Sequence, residues 1–287
     1  MSPFIESIVP TSALRLVRRI RGPQYVMPPP TAAERRHAFE RDGFVAGGPV
    51  ADRALLERLR TDFDRIFESR LDPAADVEHE RHDDGAGGEY FKVYNLHRMS
   101  DAFYELVTHP RLAAGLAEIT GLDGMRVLLD QIQYKPPASG GWNGWHRDMP
   151  SFPFVRPYSA LTAWVALDDA TEENGCLRMV PGSHAWGDAS DLAGDDWGLH
   201  RIPKEYHGHT VREVARPVRA GHVHFHHELT WHCSSPNRTG GKRRALAILL
   251  FNTDARYREG GKIVFPELAQ GDPMDRIAPL VVAAHAA

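Results

Sequence analysis

The first half of the chain carries hydrophobic residues at helical spacing. The clearest segment is Ala51–Arg70, whose apolar positions recur every three or four residues, at Leu55, Leu56, Leu59, Phe63, Ile66 and Phe67. A shorter helix is predicted for Thr31–Arg41, because Thr31 can cap its start and Glu34 can complete a capping box. A third helix is predicted for Asp101–Thr120, closed by Gly121.

From Met125 onward the pattern changes to short segments rich in β-branched and aromatic residues, separated by glycine, proline and asparagine. The predicted strands are Val127–Tyr134, Ala160–Leu167, Cys176–Val180, His222–His226 and Arg244–Asn252. A brief strand at Phe44 and Val45, a loop over Asp72–Gly88 and a polar insertion over Gly182–Lys204 complete the prediction. Helices followed by many short strands indicate an α+β fold with a β-barrel or jelly-roll core.

A single domain is predicted over residues 31–287, with its strand-rich core at about 125–253. Residues 1–30 contain several arginines and end in Pro28-Pro29-Pro30, but they lack an apolar stretch followed by a cleavage site of small residues. We interpret this segment as an N-terminal arm; an arginine-bearing transit peptide is the alternative.

The charge balance and cysteine content narrow the range of partners. The 34 basic and 38 acidic residues give a formal net charge of −4, which argues against nucleic acid as the main partner. Only Cys176 and Cys233 are present, so we expect no disulfide framework and a reducing, cytoplasmic location. No apolar run approaches the roughly 20 residues that span a bilayer, so no membrane partner is predicted. These numbers do not predict an oligomeric state.

The segment Trp145-His146-Arg147-Asp148 has the pattern of a metal site. On a strand, residues i and i+2 project to the same face, and an imidazole with a carboxylate forms two-thirds of the facial triad of non-haem iron(II). A triplet of this kind can occur by chance among 16 histidines and 38 acidic residues. A further histidine at His232 and an arginine 11 residues later, at Arg243, make the pattern more specific.

The distant arginine fits one cosubstrate. 2-Oxoglutarate chelates iron through its 1-carboxylate and 2-keto oxygens, which leaves its other carboxylate in need of a cation. Arginine offers a planar fork that matches a carboxylate better than lysine does. One iron position then remains for dioxygen.

Several motifs resemble one known family. They are Trp145-His146-Arg147-Asp148 with Phe152-Pro153-Phe154, Leu161-Thr162-Ala163-Trp164, Asn174-Gly175-Cys176-Leu177, Val180-Pro181-Gly182-Ser183-His184, and His232-Cys233-Ser234-Ser235-Pro236-Asn237 with its downstream arginine. In order and spacing they resemble the phytanoyl-CoA dioxygenase family, over roughly Thr31 to Thr253. The resemblance implies a double-stranded β-helix (jelly-roll) core with flanking N-terminal helices, iron(II), 2-oxoglutarate and dioxygen as cofactors, and a small-molecule substrate.

The resemblance also implies roles for individual residues. The metal ligands are His146, Asp148 and His232. The cosubstrate-binding residues are Arg243 on the 5-carboxylate, Ser234 beside it, the pocket aromatic Trp164, and Gln131 and Lys92. Asp148 is a carboxylate, where halogenating relatives have a small residue that admits chloride. Hydroxylation, with release of succinate and carbon dioxide and a place in secondary metabolism, is therefore the expected activity.

Alternatives stay open at this level. Zinc accepts the same three ligands, so a cupin-like zinc protein without 2-oxoglutarate-dependent oxidation is the alternative function, and a 2-oxoglutarate-independent iron oxygenase is another. Arg244 competes with Arg243, although strand alternation lets only one point inward. His222, His224 and His226 share a strand face, which we expect to be a polar face rather than a second metal site. Substrate specificity is assigned to three loops, Asp72–Glu89, Pro150–Tyr158 and Gly187–His209.

Overall fold

The computed structural model describes residues 31–83, 88–138, 141–148, 160–187, 201–259 and 265–283. By their internal contacts, residues 31–287 form one compact unit. The predicted N-terminal arm and the loop Pro150–Tyr158 lie outside the described residues, as does most of the polar insertion.

The predicted helices are present, but the third is broken. The helices are α1 Ala32–Asp42, α2 Arg53–Ser69, α3 Asp101–Val107 and α4 Pro110–Thr120. The capping box at Thr31 and Glu34 is confirmed, with the Glu34 amide donating to the Thr31 hydroxyl. The continuous helix predicted over Asp101–Thr120 is wrong, because Pro110 has no N–H for a helical bond and disfavours helical geometry in the residue before it. Its predicted end at Gly121 is confirmed by a φ of 73°.

The five predicted strands of the second half are confirmed, with ends shifted by up to three residues. The strands are β1 Phe44–Pro49, β2 His79–Asp83, β3 Glu89–Tyr94, β4 Gly124–Lys135, β5 Asn143–His146, β6 Leu161–Ala166, β7 Leu177–Met179, β8 Glu205–Tyr206, β9 His209–Thr210, β10 Val214–Arg216, β11 His222–His227, β12 His232–Ser234, β13 Arg243–Asn252 and β14 Val281–Ala283. The loop predicted over Asp72–Gly88 is wrong in part, since it contains β2. That strand is polar and is ordered by pairing with β3.

The strands form two main antiparallel sheets. The larger has the order β1-β11-β6-β13-β4-β3-β2, with β14 also paired to β4, and the smaller has the order β10-β7-β12-β5. The strands from β4 to β7 alternate between the two sheets, and so do those from β10 to β13, while β7 and β10 pair with each other in the smaller sheet. This is the winding of a double-stranded β-helix. The predicted jelly-roll core with N-terminal flanking helices is confirmed.

The side chains of strand β13 pack alternately into two hydrophobic clusters. Leu246 and Ile248 pack in the cluster that contains the helices, whereas Ala245 and Ala247 face the barrel interior. Every residue of β13 is buried, which explains why the strand shows no hydrophobic–polar alternation. The inward side chains next to Arg243 are therefore small.

One turn requires glycine. Gly175 has a φ of 85°, as its place after Asn174 predicts, and a Cβ there would lie 2.1 Å from the carbonyl oxygen of Ser235. The turn after β6 can therefore pack against the segment that follows β12. Among the described residues, no helix is both long and apolar enough to cross a membrane.

Candidate functional site

Three predicted ligands converge at one end of the barrel. His146 is the last residue of β5 and lies opposite His232, the first residue of β12. The Nε2 atom of each imidazole is 3.7 Å from Oδ1 of Asp148, and the candidate ligand atoms all lie within 4.8 Å of one another. Asp148 lies just beyond β5, in a bend. The expectation that His146 and Asp148 share a strand is therefore wrong, and the bend aims the carboxylate.

Both histidines are oriented by their own backbone. Nδ1–H of His146 donates to the carbonyl oxygen of Gly144 at 2.7 Å, and Nδ1–H of His232 donates to that of Thr230 at 2.9 Å. A carbonyl can only accept, so the Nε2 lone pair of each ring is free to bind a metal. Burial lowers the pKa of both imidazoles and thus favours the neutral, metal-binding form.

Asp148 is held through one of its two oxygens. Its Oδ2 accepts a hydrogen bond from the Thr162 hydroxyl at 2.8 Å and lies 3.3 Å from Nε2 of His226. Burial alone would raise the pKa of Asp148, but the nearby imidazoles of His232 and His226 outweigh it and lower the pKa. The carboxylate is thus kept ionised, with Oδ1 directed at the two ligand histidines.

The sequence interpretation missed His226. The histidine row of β11 does share a face, but that face lies inside the barrel, where His224 and His226 are each 1% exposed. The His226 ring centroid is 4.6 Å from that of His232. His226 also lies opposite Thr162 in the β11–β6 pairing, so both reach the same carboxylate oxygen. Among the described residues, the row forms no second metal cluster.

Arg243 occupies the barrel interior with part of its hydrogen-bonding capacity unused. Its Nη1 donates to the carbonyl oxygen of Gln133 at 3.1 Å, while Nε and Nη2 have no hydrogen-bond partner among the residues that the structure describes. Burial lowers the pKa of this guanidinium to about 10, so it stays charged at neutral pH. Within the described ranges, the hydroxyls of Ser234 and Tyr90 are also buried without a hydrogen-bond partner. Buried unpaired donors are costly, so this group is suited to an anionic ligand.

Two other cations near Arg243, Arg244 and Lys135, already have hydrogen-bond partners. Arg244 points out of the barrel, where Nε is 2.9 Å from Oδ2 of Asp168 and Nη2 is 3.0 Å from Oδ1. The buried amine of Lys135 donates to the carbonyl oxygens of Gly141, Ser234 and Ser235. Neither cation therefore has its donors free for a cosubstrate.

The remaining predicted cosubstrate residues face the same interior. Trp164 is 1% exposed, and its Nε1–H donates to Oε1 of Gln133 at 3.0 Å. Gln131 lies two residues before Gln133 on β4, half-buried on the same strand face. Lys92 lies opposite Gln133 on β3, with Nζ 3.8 Å from Oε2 of Glu80. Gln133 was not anticipated, and nothing local in the sequence distinguishes it from Gln131.

Comparison with known proteins identifies the family. The sequence profile described as phytanoyl-CoA dioxygenase (PhyH) matches residues 39–245, which is most of the chain. The chain belongs to the phytanoyl-CoA dioxygenase family. The peroxisomal phytanoyl-CoA dioxygenase of Rattus norvegicus is 25% identical over 239 residues, covering 78% of this chain and 69% of the relative. A probable alpha-ketoglutarate-dependent hypophosphite dioxygenase of Stutzerimonas stutzeri is 30% identical over 169 residues, covering 57% and 58%.

One similar structure has been solved with a metal ion and a cosubstrate bound. The epimerase SnoN, solved in complex with Fe3+, alpha ketoglutarate and nogalamycin RO, superimposes with a TM-score of 0.70 at 29% identity, covering 84% of this chain and 94% of SnoN. The protein is accordingly an iron(II)- and 2-oxoglutarate-dependent dioxygenase that acts on a small molecule. This confirms the predicted function and cofactors over the zinc alternative.

The residues of this dioxygenase fit both groups. Two neutral imidazoles and one ionised carboxylate, aimed at a common point, are the donor set that iron(II) accepts. The unpaired donors of Arg243 match the far carboxylate of 2-oxoglutarate. Iron(II) held here would supply the oxidative chemistry, in which 2-oxoglutarate and dioxygen are consumed and succinate and carbon dioxide are formed.

The hydrogen bond from Thr162 provides a test of how Asp148 is held. Thr162→Val keeps the shape of the side chain but removes the donor, so we expect iron(II) affinity to fall about 10- to 100-fold. Thr162→Ser keeps a hydroxyl and should retain most of the affinity. Anaerobic iron titration of the two variants makes the comparison. Wild-type affinity in Thr162→Val would show that Asp148 is oriented by other contacts.

Proposed function

We propose that this dioxygenase hydroxylates a C–H bond of a small molecule beside iron held by His146, Asp148 and His232. One observation carries the proposal: two imidazoles and one carboxylate share a barrel with a buried guanidinium, two of whose nitrogen atoms have no partner in the described part of the chain. A structural cluster would not need such a guanidinium. A hydrolytic zinc centre would not need it either.

Each residue has a task that follows from its contacts. Nε2 of the two histidines and Oδ1 of Asp148 would hold the metal, and three protein donors would leave coordination positions for 2-oxoglutarate and dioxygen. Arg243 pairs with the 5-carboxylate of 2-oxoglutarate, and the free hydroxyl of Ser234 donates to the same group. Trp164 forms a wall of this pocket and is fixed by Gln133.

Two further cosubstrate contacts are part of the proposal. Gln131 and Lys92 are assigned to 2-oxoglutarate because they lie on inward faces of β4 and β3, beside Gln133. Burial lowers the pKa of the Lys92 amine, while Glu80 acts in the opposite direction.

Hydroxylation is favoured over halogenation because the third protein position carries a carboxylate. Asp148 is fixed there by Thr162, so it does not give way to a halide. A role in secondary metabolism is supported by the likeness to SnoN, which comes from nogalamycin biosynthesis. A cytoplasmic location is supported by the two cysteines, both of which are free thiols buried in the protein.

The test is substrate-dependent formation of succinate. Purified protein with iron(II), ascorbate and 2-oxoglutarate is incubated with a metabolite extract, and succinate and metabolite masses are followed together. We expect one metabolite to gain one oxygen atom for each succinate formed. The same protein loaded with zinc is the control and should form none. Absence of succinate with iron would contradict the proposal, and a product that gains no oxygen would exclude hydroxylation.

A further inference from the structure

A buried tyrosine shares the barrel interior with Arg243. Tyr90 is the second residue of β3 and is fully buried, whereas the next residue, Phe91, packs with the helices on the other face of the sheet. The Tyr90 hydroxyl has no hydrogen-bond partner in the described part of the chain. A buried hydroxyl that lacks a partner is destabilising, so its presence calls for an explanation.

The pairing of three strands places Tyr90 beside Arg243. Lys135 of β4 pairs with Arg243 of β13. The β3–β4 pairing includes Phe91 and Tyr134, and continuing its antiparallel register by one residue brings the next position of β3 opposite Lys135. That position is Tyr90, and Nζ of Lys135 lies 5.1 Å from the centroid of its ring. The three side chains therefore lie next to one another inside the barrel.

The unpaired donors of Arg243 lie along one edge of its guanidinium. Nη1, on the opposite side, donates to the carbonyl oxygen of Gln133. Nε and Nη2 are the two nitrogens without a partner among the described residues, and their N–H bonds are parallel, as bidentate binding of a carboxylate requires. A carboxylate held through both oxygens still has an acceptor position left on each of them. Further donors are needed to fill those positions.

Two buried hydroxyls are available as those donors. Ser234 lies on the same face of β12 as His232, and its hydroxyl, like that of Tyr90, is unpaired within the described ranges. Burial raises the pKa of Tyr90, so the phenol keeps its proton at neutral pH, and Arg243 is close enough for its charge to act on that pKa. Together with the guanidinium edge, the two hydroxyls match the roughly four acceptor positions of one carboxylate.

We propose that Tyr90 is a further cosubstrate-binding residue, whose hydroxyl donates a hydrogen bond to the 5-carboxylate of 2-oxoglutarate. The inference rests on the proposed function, in which Arg243 and Ser234 bind the same carboxylate. A hydrogen bond to a charged group is stronger than one between neutral groups. The hydroxyl therefore contributes to affinity only when the ligand carries a carboxylate at this position.

Two ligands that differ in one group test this contact. 2-Oxoglutarate and 2-oxopentanoate have the same chain length and the same keto acid group, but only 2-oxoglutarate carries the 5-carboxylate. Each is titrated by calorimetry into protein loaded with iron(II) in the absence of dioxygen. Tyr90→Phe removes only the hydroxyl and should weaken 2-oxoglutarate binding about tenfold or more, which corresponds to about 1.4 kcal/mol. Its affinity for 2-oxopentanoate should equal that of the wild type, and an equal loss for both ligands would overturn the assignment.

Tyr134→Phe is the matched control. It removes the same hydroxyl from the neighbouring strand, but the Tyr134 ring packs against Phe63 and Phe67 on the helix side of the sheet. This variant should bind 2-oxoglutarate as tightly as the wild type. If it loses as much affinity as Tyr90→Phe, the loss reflects a general effect on the sheet, and the role of Tyr90 is refuted.

The unfolding temperature gives a second readout. Without 2-oxoglutarate, Tyr90→Phe lacks an unsatisfied buried hydroxyl and should be at least as stable as the wild type. When the same concentration of 2-oxoglutarate is added to both, the wild type should gain more stability, because a ligand stabilises the protein to which it binds more tightly. A lower unfolding temperature of ligand-free Tyr90→Phe would show that the protein itself uses the hydroxyl, which contradicts the proposal.

The outcomes separate this inference from the proposed function. If wild-type protein prefers 2-oxoglutarate to 2-oxopentanoate and Tyr90→Phe keeps the whole of that preference, only the role of Tyr90 is lost. If the wild-type protein binds the two ligands equally, the 5-carboxylate is not recognised. The assignment of Arg243 in the proposed function then fails together with that of Tyr90.

Discussion

Replacing either ligand histidine by alanine is expected to abolish tight iron(II) binding and, with it, all turnover. His146 and His232 each supply one of three protein donors, so removing one leaves a bidentate site with too little affinity to retain the metal. In both residues Nδ1–H donates to a backbone carbonyl oxygen, so Nε2 is the atom that is left to bind the metal. The measurement is iron content after gel filtration, together with succinate formation.

His222→Gln is the matched control, because His222 lies on the same strand row but farthest from the metal site. It should keep one iron per chain. Asp148→Gly should also end hydroxylation, although opening the position to halide does not by itself place a substrate for halogenation. Unchanged iron content in both histidine-to-alanine variants would refute the assignment of the metal site.

Arg243→Ala is expected to raise the 2-oxoglutarate requirement about 30-fold or more while iron still binds. Truncating one partner of a buried charge pair costs roughly 2–5 kcal/mol, and about 1.4 kcal/mol corresponds to a factor of ten. Iron affinity should persist because the guanidinium lies beside Trp164 and Gln133 and is not among the candidate metal ligands. Arg243→Lys should restore function only in part, since a point charge replaces a planar fork.

Arg244→Ala provides the control for register. Its guanidinium is engaged by Asp168 outside the barrel, so the variant should lose thermal stability but keep its 2-oxoglutarate requirement. The measurement is the concentration of 2-oxoglutarate at half-maximal succinate formation, alongside the unfolding temperature. If Arg244→Ala loses 2-oxoglutarate affinity and Arg243→Ala does not, the cosubstrate is bound elsewhere than proposed. If neither variant changes, Arg243 has no part in binding it.

The sequence by itself determined the features that depend on local pattern. The capping box of α1, the apolar face of α2 and the five core strands follow from residue spacing within one element. The choice of Arg243 over Arg244 agrees with strand alternation, because β13 turns successive side chains to opposite faces. Pro110 also indicated a helix break in the sequence, but the helical spacing of apolar residues before and after it favoured one continuous helix.

Only the tertiary structure decided which distant residues meet. The approach of Thr162 and His226 to one oxygen of Asp148 depends on the β11–β6 register and on the bend after β5, and neither can be deduced from spacing along the chain. The contact between Gln133 and Trp164 depends in the same way on the placement of β4 and β6 on the two sides of β13. Hydrophobic pattern specifies which face of a strand is buried. It does not specify which polar groups of other strands lie opposite, because those contacts are set by register, sheet curvature and turn geometry acting together.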